Sequence, residues 1–342
     1  MRRRRIVNRS FEKTFGMKLA SLRTSNRDGE LVVVSRDLTS MVRAREIAPT
    51  LQWALDNWAA TMPRLAERYR RLNERQEAHA EAFTEAMAHS PLPRAFQWCD
   101  GSVYLAHAER MAQWTGSPVA DRFTSEPWMY QGASDNFLGP TENIVAGSED
   151  WGIDYEAEIA VVTTDVPYGA TPARGAEAIA LIMLCNDVSL RNLIPPELAK
   201  GFGFVQSKPA SAFSPVAITP EELGDSWTDW RVHGRVSSYV NGILYGDPDA
   251  GEMLHGFDRL IAHVAKTRAL AAGSIIGSGT IANIDPLHGT SCLVERRVLE
   301  TLEHGAAITP FLHFGDTVRI EMRDRNGGSM FGAIEQTVVQ LA

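Results

Sequence analysis

Apolar and polar residues follow two different periods in the part of the chain before Phe96. The runs "MKLASLRT" and "ELVVVSRD" flank "SNRDG", whose Asn and Gly are typical of a turn, so this stretch predicts a β-hairpin. From about Pro49 to Met87 apolar residues recur at spacings of three and four, which predicts helical structure. Pro63 is expected to divide it into two helices. The connector "SPLPRAF" then marks a predicted boundary.

After Phe96 the pattern changes to short strand-type runs separated by turns that contain Gly or Pro, such as "EAEIAVVTT", "IALIMLCNDVS" and "DTVRIEM". One segment, "EMLHGFDRLIAHVAKT", is instead helical in pattern, with an apolar face of Met253, Phe257, Leu260, Ile261 and Val264. Many short strands with few helices predict an α+β, β-rich fold, a sandwich or barrel-like core. We therefore expect a disordered basic tail at 1–16, a small α+β domain at 17–95, and a β-rich domain at 96–342.

Composition narrows the class of protein. The 342 residues carry a net charge of −8, which argues against nucleic-acid binding. No run approaches the roughly 18 apolar residues of a membrane span. The basic start has no apolar segment and does not predict a secretory signal. The odd, widely spaced cysteines, Cys99, Cys185 and Cys292, are expected to be reduced core thiols, so the sequence predicts a cytoplasmic protein.

Two carboxylates stand inside a predicted strand, "WGIDYEAEIAVV" from Trp151 to Val162. Alternate residues of a strand share a face, so Glu156 and Glu158 are expected to point the same way. Asp187 ends another apolar run, "LIMLCND". These carboxylates are either on a solvent face, paired with Lys or Arg, or buried together, where they would repel. A divalent cation would relieve that repulsion, and oxygen ligands favour Mg²⁺, Mn²⁺ or Ca²⁺.

Four motifs in register carry a resemblance. "YEAEIAVV", then about thirty residues later "LCNDVSLRNL", then "SKPASAFSP" and "GSGT", resemble the fumarylacetoacetate hydrolase family over roughly Phe96 to Gln340. The resemblance implies a mixed β-sandwich roll, a homodimer, and a metal held by Glu156, Glu158 and Asp187. Mg²⁺ is the expected ion, with Mn²⁺ or Ca²⁺ as alternatives.

The same resemblance directs attention to "CDGSVYLAHAERM". Tyr104 and His107 keep the family's spacing, and Asp100, seven residues before the histidine, matches an aspartate metal ligand of longer members. His107 would be the general base that activates water, with a carboxylate partner that fixes its tautomer. Glu109 and Glu295 are both candidates for this partner, and the resemblance to longer members favours Glu295.

Positive charge and substrate contacts are implied in the same way. Arg191 and Lys208 would hold a substrate carboxylate or stabilise the enolate that departs when a carbon–carbon bond breaks. Thr280, in "GSGT", matches the family's substrate-contacting threonine, and Tyr104 and Tyr130 are expected to line the substrate site.

The sequence thus predicts a metal-dependent hydrolase that cleaves a carbon–carbon bond in a 1,3-diketo acid, such as fumarylacetoacetate or an acylpyruvate, in the catabolism of aromatic compounds. Two alternatives stay open. One is a 2-oxo-acid decarboxylase, or a hydratase or isomerase of a 2-oxo-enoic acid, on the same scaffold. The other is a metal- or ligand-binding protein with little catalysis, suggested by departures from the family pattern near Ala106 and Gln131.

Overall fold

Two large β-sheets build most of the molecule in the computed structural model, which describes residues 16–116 and 118–342. Apart from Gly16, the predicted basic tail lies outside these residues. The strands of the described ranges are β1 Lys18–Leu22, β2 Glu30–Val34, β3 Ser40–Arg43, β4 Glu81–Ala82, β5 Trp98–Ser102, β6 Trp128–Gln131, β7 Ile144–Ala146, β8 Ile153–Asp154, β9 Ala157–Thr163, β10 Ile179–Asn186, β11 Ser189–Leu190, β12 Ala212–Phe213, β13 Ala217–Ile218, β14 Trp227–Thr228, β15 Arg231–Val232, β16 Val236–Val240, β17 Ile243–Gly246, β18 Ile275–Gly277, β19 Thr317–Met322 and β20 Ile334–Gln340.

The helices are α1 Leu51–Asp56, α2 Trp58–Asn73, α3 Leu105–Thr115, α4 Pro172–Glu177, α5 Ile194–Leu198, α6 Pro220–Leu223, α7 Phe257–Val264 and α8 Leu293–His304. The larger sheet has the strand order β4-β3-β2-β1-β13-β10-β9-β18-β5-β6, with β12 beside β10, and the smaller has the order β17-β16-β19-β20-β7. The predicted α+β, β-rich fold is therefore confirmed. No helix in the described part of the chain is both long and apolar enough to cross a bilayer.

The predicted hairpin is confirmed, because β1 and β2 pair antiparallel on either side of the "SNRDG" turn. Strand β1 also pairs with β13, where Lys18 lies opposite Ile218. Strands from the region 17–95 therefore extend the same sheet that the region 96–342 builds. The division of the chain into two domains at this point stays a prediction.

The helices near Pro63 differ from the prediction. The break between α1 and α2 falls at Asn57, whereas Pro63 lies inside α2. Leu65, Tyr69 and Leu72 form the buried face of α2. Their packing stabilises the helix enough for it to continue past Pro63. Residues 74–87 are not helical except for a short 3₁₀ turn at Glu85–Met87, so the predicted helical region was too long.

The segment from Trp151 to Val162 is two strands, and the prediction of one continuous strand was wrong. Strand β8 pairs with β11 in a small separate sheet, while β9 lies in the large sheet between β10 and β18. The chain changes sheets at Tyr155 and Glu156. This break leaves Asp154 and Glu156 with a shared partner, Arg191, while Glu158 lies apart from both.

Candidate metal centre and histidine–glutamate pair

Three buried carboxylates meet at one end of the large sheet. Asp100 lies on β5, Glu158 on β9, and Asp187 directly follows β10. One oxygen of each lies within 4.8 Å of the others. All three side chains are buried, and the backbone N–H of Asp187 donates to the carbonyl of Glu156 at 3.0 Å. Strand pairing therefore brings together residues that are distant in sequence.

The three carboxylates differ in how they are satisfied. Asp187 accepts hydrogen bonds from Lys208 Nζ at 2.6 Å, the Tyr130 hydroxyl at 2.6 Å and Ser211 Oγ at 2.7 Å. Glu158 has no hydrogen-bond partner for either oxygen among the described residues. Burial, and then the charge of Asp100, raise the pKa of Glu158 well above its ordinary value.

Asp100 is in a similar position to Glu158. Its Oδ1 accepts one hydrogen bond, from the backbone N–H of Gly279 at 3.0 Å. Burial, and then the charge of Asp187, raise the pKa of Asp100 well above its ordinary value. Glu158 without a donor and Asp100 with one leave buried carboxylate oxygens that fit a hard divalent cation, which prefers such ligands. Asp100, Glu158 and Asp187 therefore fit the divalent cation that the resemblance implied.

Glu156 lies outside this trio, although it was predicted as a ligand. Its Oε1 accepts from Arg191 Nη2 at 2.6 Å and its Oε2 from Lys208 Nζ at 2.5 Å. Burial alone would raise the pKa of Glu156, but the charges of Arg191 and Lys208 outweigh it and hold that pKa well below its ordinary value. Because Lys208 Nζ also bonds Asp187, Glu156 is joined to the trio through this amine.

His107 lies against Glu295, with 2.5 Å between Nδ1 and Oε1. Helices α3 and α8 supply the two residues, and Glu295 is fully buried in the first turn of α8. Glu109 is exposed on α3, so its candidacy as the partner was wrong. One turn of helix after His107, Arg110 donates to Glu295 Oε2 at 3.1 Å. Sequence reasoning missed Arg110, although its spacing from the histidine places it on the same helix face.

Asp154 connects the two parts of the site, and it was also missed. Its oxygens accept from Arg191 Nε at 2.8 Å and from the backbone N–H groups of Leu293 and Val294 at 2.7 and 3.0 Å. These two N–H groups belong to the first turn of α8, which has no partners for them within the helix. A continuous chain of contacts thus runs from Glu156 through Arg191 and Asp154 to the helix that carries Glu295.

The residues predicted to touch substrate fall in different places. Tyr130 faces the site, since its hydroxyl donates to Asp187 and its ring centre lies 5.5 Å from Lys208 Nζ. Thr280 is buried, and its neighbour Ile281 donates its N–H to the carbonyl of Ala157, which precedes Glu158 on β9. Tyr104 is 1% exposed and its hydroxyl donates to the carbonyl of Ala250, so it is part of the core, in contrast to the prediction.

Fold and site together define a β-rich protein with a buried polycarboxylate centre beside a histidine–glutamate pair. The chain belongs to the fumarylacetoacetate hydrolase family: residues 97–339 match the model described as fumarylacetoacetate (FAA) hydrolase C-terminal. Residues 17–94 match fumarylacetoacetase N-terminal domain 2.

Individual relatives carry different activities in their names. The mitochondrial oxaloacetate tautomerase of Bos taurus is 25% identical over 206 residues, 58% of this chain and 88% of the relative. The 2-hydroxyhepta-2,4-diene-1,7-dioate isomerase of Mycobacterium marinum matches with a TM-score of 0.59 at 14% identity, over 95% of this chain and 98% of that one. The maleylpyruvate hydrolase of Sphingobium sp. SYK-6, solved with manganese(II) and pyruvate, matches with a TM-score of 0.62 at 15% identity. This match covers 95% of this chain and 100% of that one. These structural matches show the shared fold.

Proposed function

We propose that the protein is a divalent-metal-dependent hydrolase that cleaves a carbon–carbon bond of a 1,3-diketo acid of the acylpyruvate or fumarylacetoacetate type. The observation that carries the proposal is the contact between His107 and Glu295 next to the carboxylate centre. Burial raises the pKa of Glu156, while the charges of Arg191 and Lys208 lower it. His107 also contributes to this lowering, so it lies close to Glu156 and therefore close to the carboxylate centre. A base beside a metal centre is what water activation requires.

Asp100, Glu158 and Asp187 would hold the cation, with Glu156 beside them. When bound, a divalent ion supplies Lewis-acid polarisation of a carbonyl oxygen. Mg²⁺ remains the expected ion, and the manganese complex of the Sphingobium hydrolase supports Mn²⁺ as an alternative. The same complex contains pyruvate, the fragment that hydrolysis of an acylpyruvate releases, and this supports the proposed class of substrate.

The histidine would take the proton of the attacking water. Glu295 accepts the Nδ1–H of His107, which leaves Nε2 free as the base and stabilises the imidazolium that forms. Arg110 holds the other oxygen of Glu295 and so keeps the carboxylate in place. Water adds to the substrate carbonyl, the carbon–carbon bond breaks, and its electron pair remains on the leaving fragment as an enolate.

Lys208 is suited to receive this enolate. An ammonium group has three donors, and Glu156 and Asp187 accept two of them, so one remains for a substrate oxygen. Burial would lower the pKa of Lys208, but Asp187 and Glu156 outweigh it and raise that pKa, which keeps the amine charged. Arg191 adds a second buried positive charge beside Glu156.

A tautomerase or isomerase is the second candidate, favoured by the relationship to the bovine oxaloacetate tautomerase. Keto–enol exchange needs the same cation and a base that moves a proton on carbon, but no attack by water. A 2-oxo-acid decarboxylase would also use this centre. The two candidates differ in their products, since only hydrolysis divides the carbon chain by adding water.

The test offers acylpyruvates, fumarylacetoacetate and oxaloacetate to the purified protein with Mg²⁺, Mn²⁺ or EDTA, and follows the diketone chromophore and the products. We expect metal-dependent cleavage that is lost in Glu158→Gln and His107→Asn. His304→Asn, an exposed histidine on α8, is the matched control and should keep full activity. Exchange of oxaloacetate tautomers without cleavage of any diketone would replace hydrolysis by the second candidate.

We also propose a cytoplasmic homodimer that acts on a small oxo or diketo acid in aromatic catabolism. An apolar surface supports the dimer: Ile243 and Leu244 on β17, the outer strand of the smaller sheet, are 65% and 50% exposed. Leu287, 87% exposed, lies in the segment that bonds to the end of that strand. Light scattering of wild type and of Leu244→Lys tests this surface, and a monomeric wild type would contradict it.

A further inference from the structure

Away from the carboxylate centre, a surface pocket is lined by basic side chains. It has a volume of about 430 Å³ and lies between α7, the loop that leads into α4, and the segment around Ser125. Its basic lining residues are His255, Arg259, His263 and Lys266. None of the described residues that line it is acidic, and none belongs to the carboxylate centre.

His255 is the most informative residue of this pocket. It is only 3% exposed, yet neither ring nitrogen has a hydrogen-bond partner among the described residues. The backbone of Phe123 is near enough to favour the protonated ring, but it does not complete a hydrogen bond. A buried polar group without a partner is energetically unfavourable, and a ligand that hydrogen-bonds to these nitrogens would remove that cost.

The electrostatics of the pocket indicate the charge of that ligand. Burial, and then the positive charge of Arg259, lower the pKa of His255. An anion in the pocket would oppose both effects by offsetting the guanidinium charge and accepting a hydrogen bond from an imidazole N–H. The unpaired ring nitrogens of His255 and the positive charge around them thus both favour an anion.

The other cations of the pocket are also unpaired. Arg259, His263 and Lys266 form no salt bridge and no side-chain hydrogen bond within the described part of the chain, whereas Arg235 pairs with Asp247 and Arg319 with Glu335. Arg259 and His263, four residues apart on α7, lie on one side of that helix, and Lys266 follows just after its end. Phe257, Leu260 and Ile261 occupy the opposite, buried side, so packing fixes where the cations point.

We propose that His255, Arg259, His263 and Lys266 form a binding site for a small oxyanion, either a carboxylate or a phosphate. The size of the pocket is in the range of small-molecule sites. Pro127, Ala170, Pro172 and Ala262 give it an apolar wall, which suits the carbon skeleton of a small organic acid. The site does not depend on the metal or on the proposed hydrolysis.

Calorimetric titration tests the site with inorganic phosphate and with malonate, at constant ionic strength set by chloride and in EDTA. We expect saturable binding that is weakened roughly tenfold or more in Arg259→Gln, because a charged hydrogen bond is lost. Arg325→Gln, an exposed arginine far from this pocket in sequence, is the matched control and should bind like wild type. Binding of phosphate alone or of malonate alone identifies which oxyanion the site prefers.

His255→Phe gives a second, independent readout. Without an anion, replacing an unsatisfied buried ring by an apolar one should keep or raise the melting temperature. With phosphate or malonate, only wild type should gain further stability. The proposal is overturned if neither anion binds saturably, or if both variants respond to the anions as wild type does.

Discussion

Glu158 and Asp187 lie close together in the buried centre, yet only Asp187 is satisfied by the protein. Asp187 receives three hydrogen bonds, whereas both oxygens of Glu158 have no partner within the described residues. Within the trio, Lys208 bonds directly to Asp187 and leaves Glu158 and Asp100 without a cationic hydrogen-bond donor. A cation is needed chiefly next to Glu158 and Asp100.

Glu158→Gln should abolish divalent-metal binding and at the same time stabilise the metal-free protein. The amide removes the unpaired buried charge, and its N–H₂ group can donate to Asp100 or Asp187. We expect the free energy of unfolding in EDTA to rise by about 1 kcal/mol. Calorimetric titration with Mg²⁺ and Mn²⁺, together with denaturant unfolding in EDTA, measures both effects.

Glu156→Gln is the matched comparison and should lower the free energy of unfolding in EDTA, whereas Glu158→Gln should raise it. Arg191 and Lys208 would lose a buried partner, and breaking such a pair costs about 3 kcal/mol. A change of the same sign in both variants would contradict the distinction between a satisfied and an unsatisfied glutamate.

Glu295→Gln should lower kcat roughly 10- to 1000-fold and leave the metal affinity unchanged, because a neutral partner no longer stabilises the imidazolium of His107. The amide oxygen can still accept from Arg110, so the fold should be retained. Glu303→Gln, exposed on the same helix, is the control and should have wild-type kinetics. A loss of metal binding in Glu295→Gln would instead assign Glu295 to the metal centre.

Asp154→Asn should reduce both stability and activity, because this carboxylate links Arg191 to the first turn of α8. The amide retains one acceptor for three donors, so we expect a loss of about 3 kcal/mol in the free energy of unfolding. Asp285→Asn, an exposed cap of a 3₁₀ turn, should lose about 1 kcal/mol or less. Equal losses in the two variants would show that Asp154 acts only as a helix cap.

The sequence predicted elements whose signal is local. The "SNRDG" turn predicted the β1–β2 hairpin, and the apolar face around Phe257 predicted α7, although the helix begins only after Gly256 and is shorter than expected. The position of Glu158 and Asp187 followed from strand periodicity and from the end of an apolar run. Local pattern was sufficient because each of these features depends on neighbours in sequence.

What the sequence did not predict depends on contacts between distant segments. The pattern along Trp151–Val162 gave no sign that the strand changes sheets at Tyr155, because both pieces are fully buried. Asp154 and Arg110 were missed because their partners, Arg191 and Glu295, are far away in the chain. The separation of Glu156 from Glu158 is likewise set by Arg191 and Lys208, which no spacing rule relates to the two glutamates.

The buried amine of Lys18 should make the stability of the fold depend on pH. Its ammonium group donates to the carbonyls of Ser329 and Met330 at 3.2 and 2.5 Å, and burial lowers the pKa of Lys18 to about 8 from 10.5. Between these two values the unfolded chain binds the extra proton and the folded chain does not, so stability rises with pH in this window. The protonated amine penalises the folded state below about pH 8, and the penalty is relieved by about pH 10.5.

Denaturant unfolding of wild type and Lys18→Met between pH 8 and 10.5 measures this effect as a difference, because other titrating groups cancel. Wild type should gain up to about 3 kcal/mol relative to the variant across the window. Lys200→Met, an exposed lysine, is the control and should run parallel to wild type. Parallel curves for wild type and Lys18→Met would mean that the two carbonyls, which favour the charged amine, compensate for its burial.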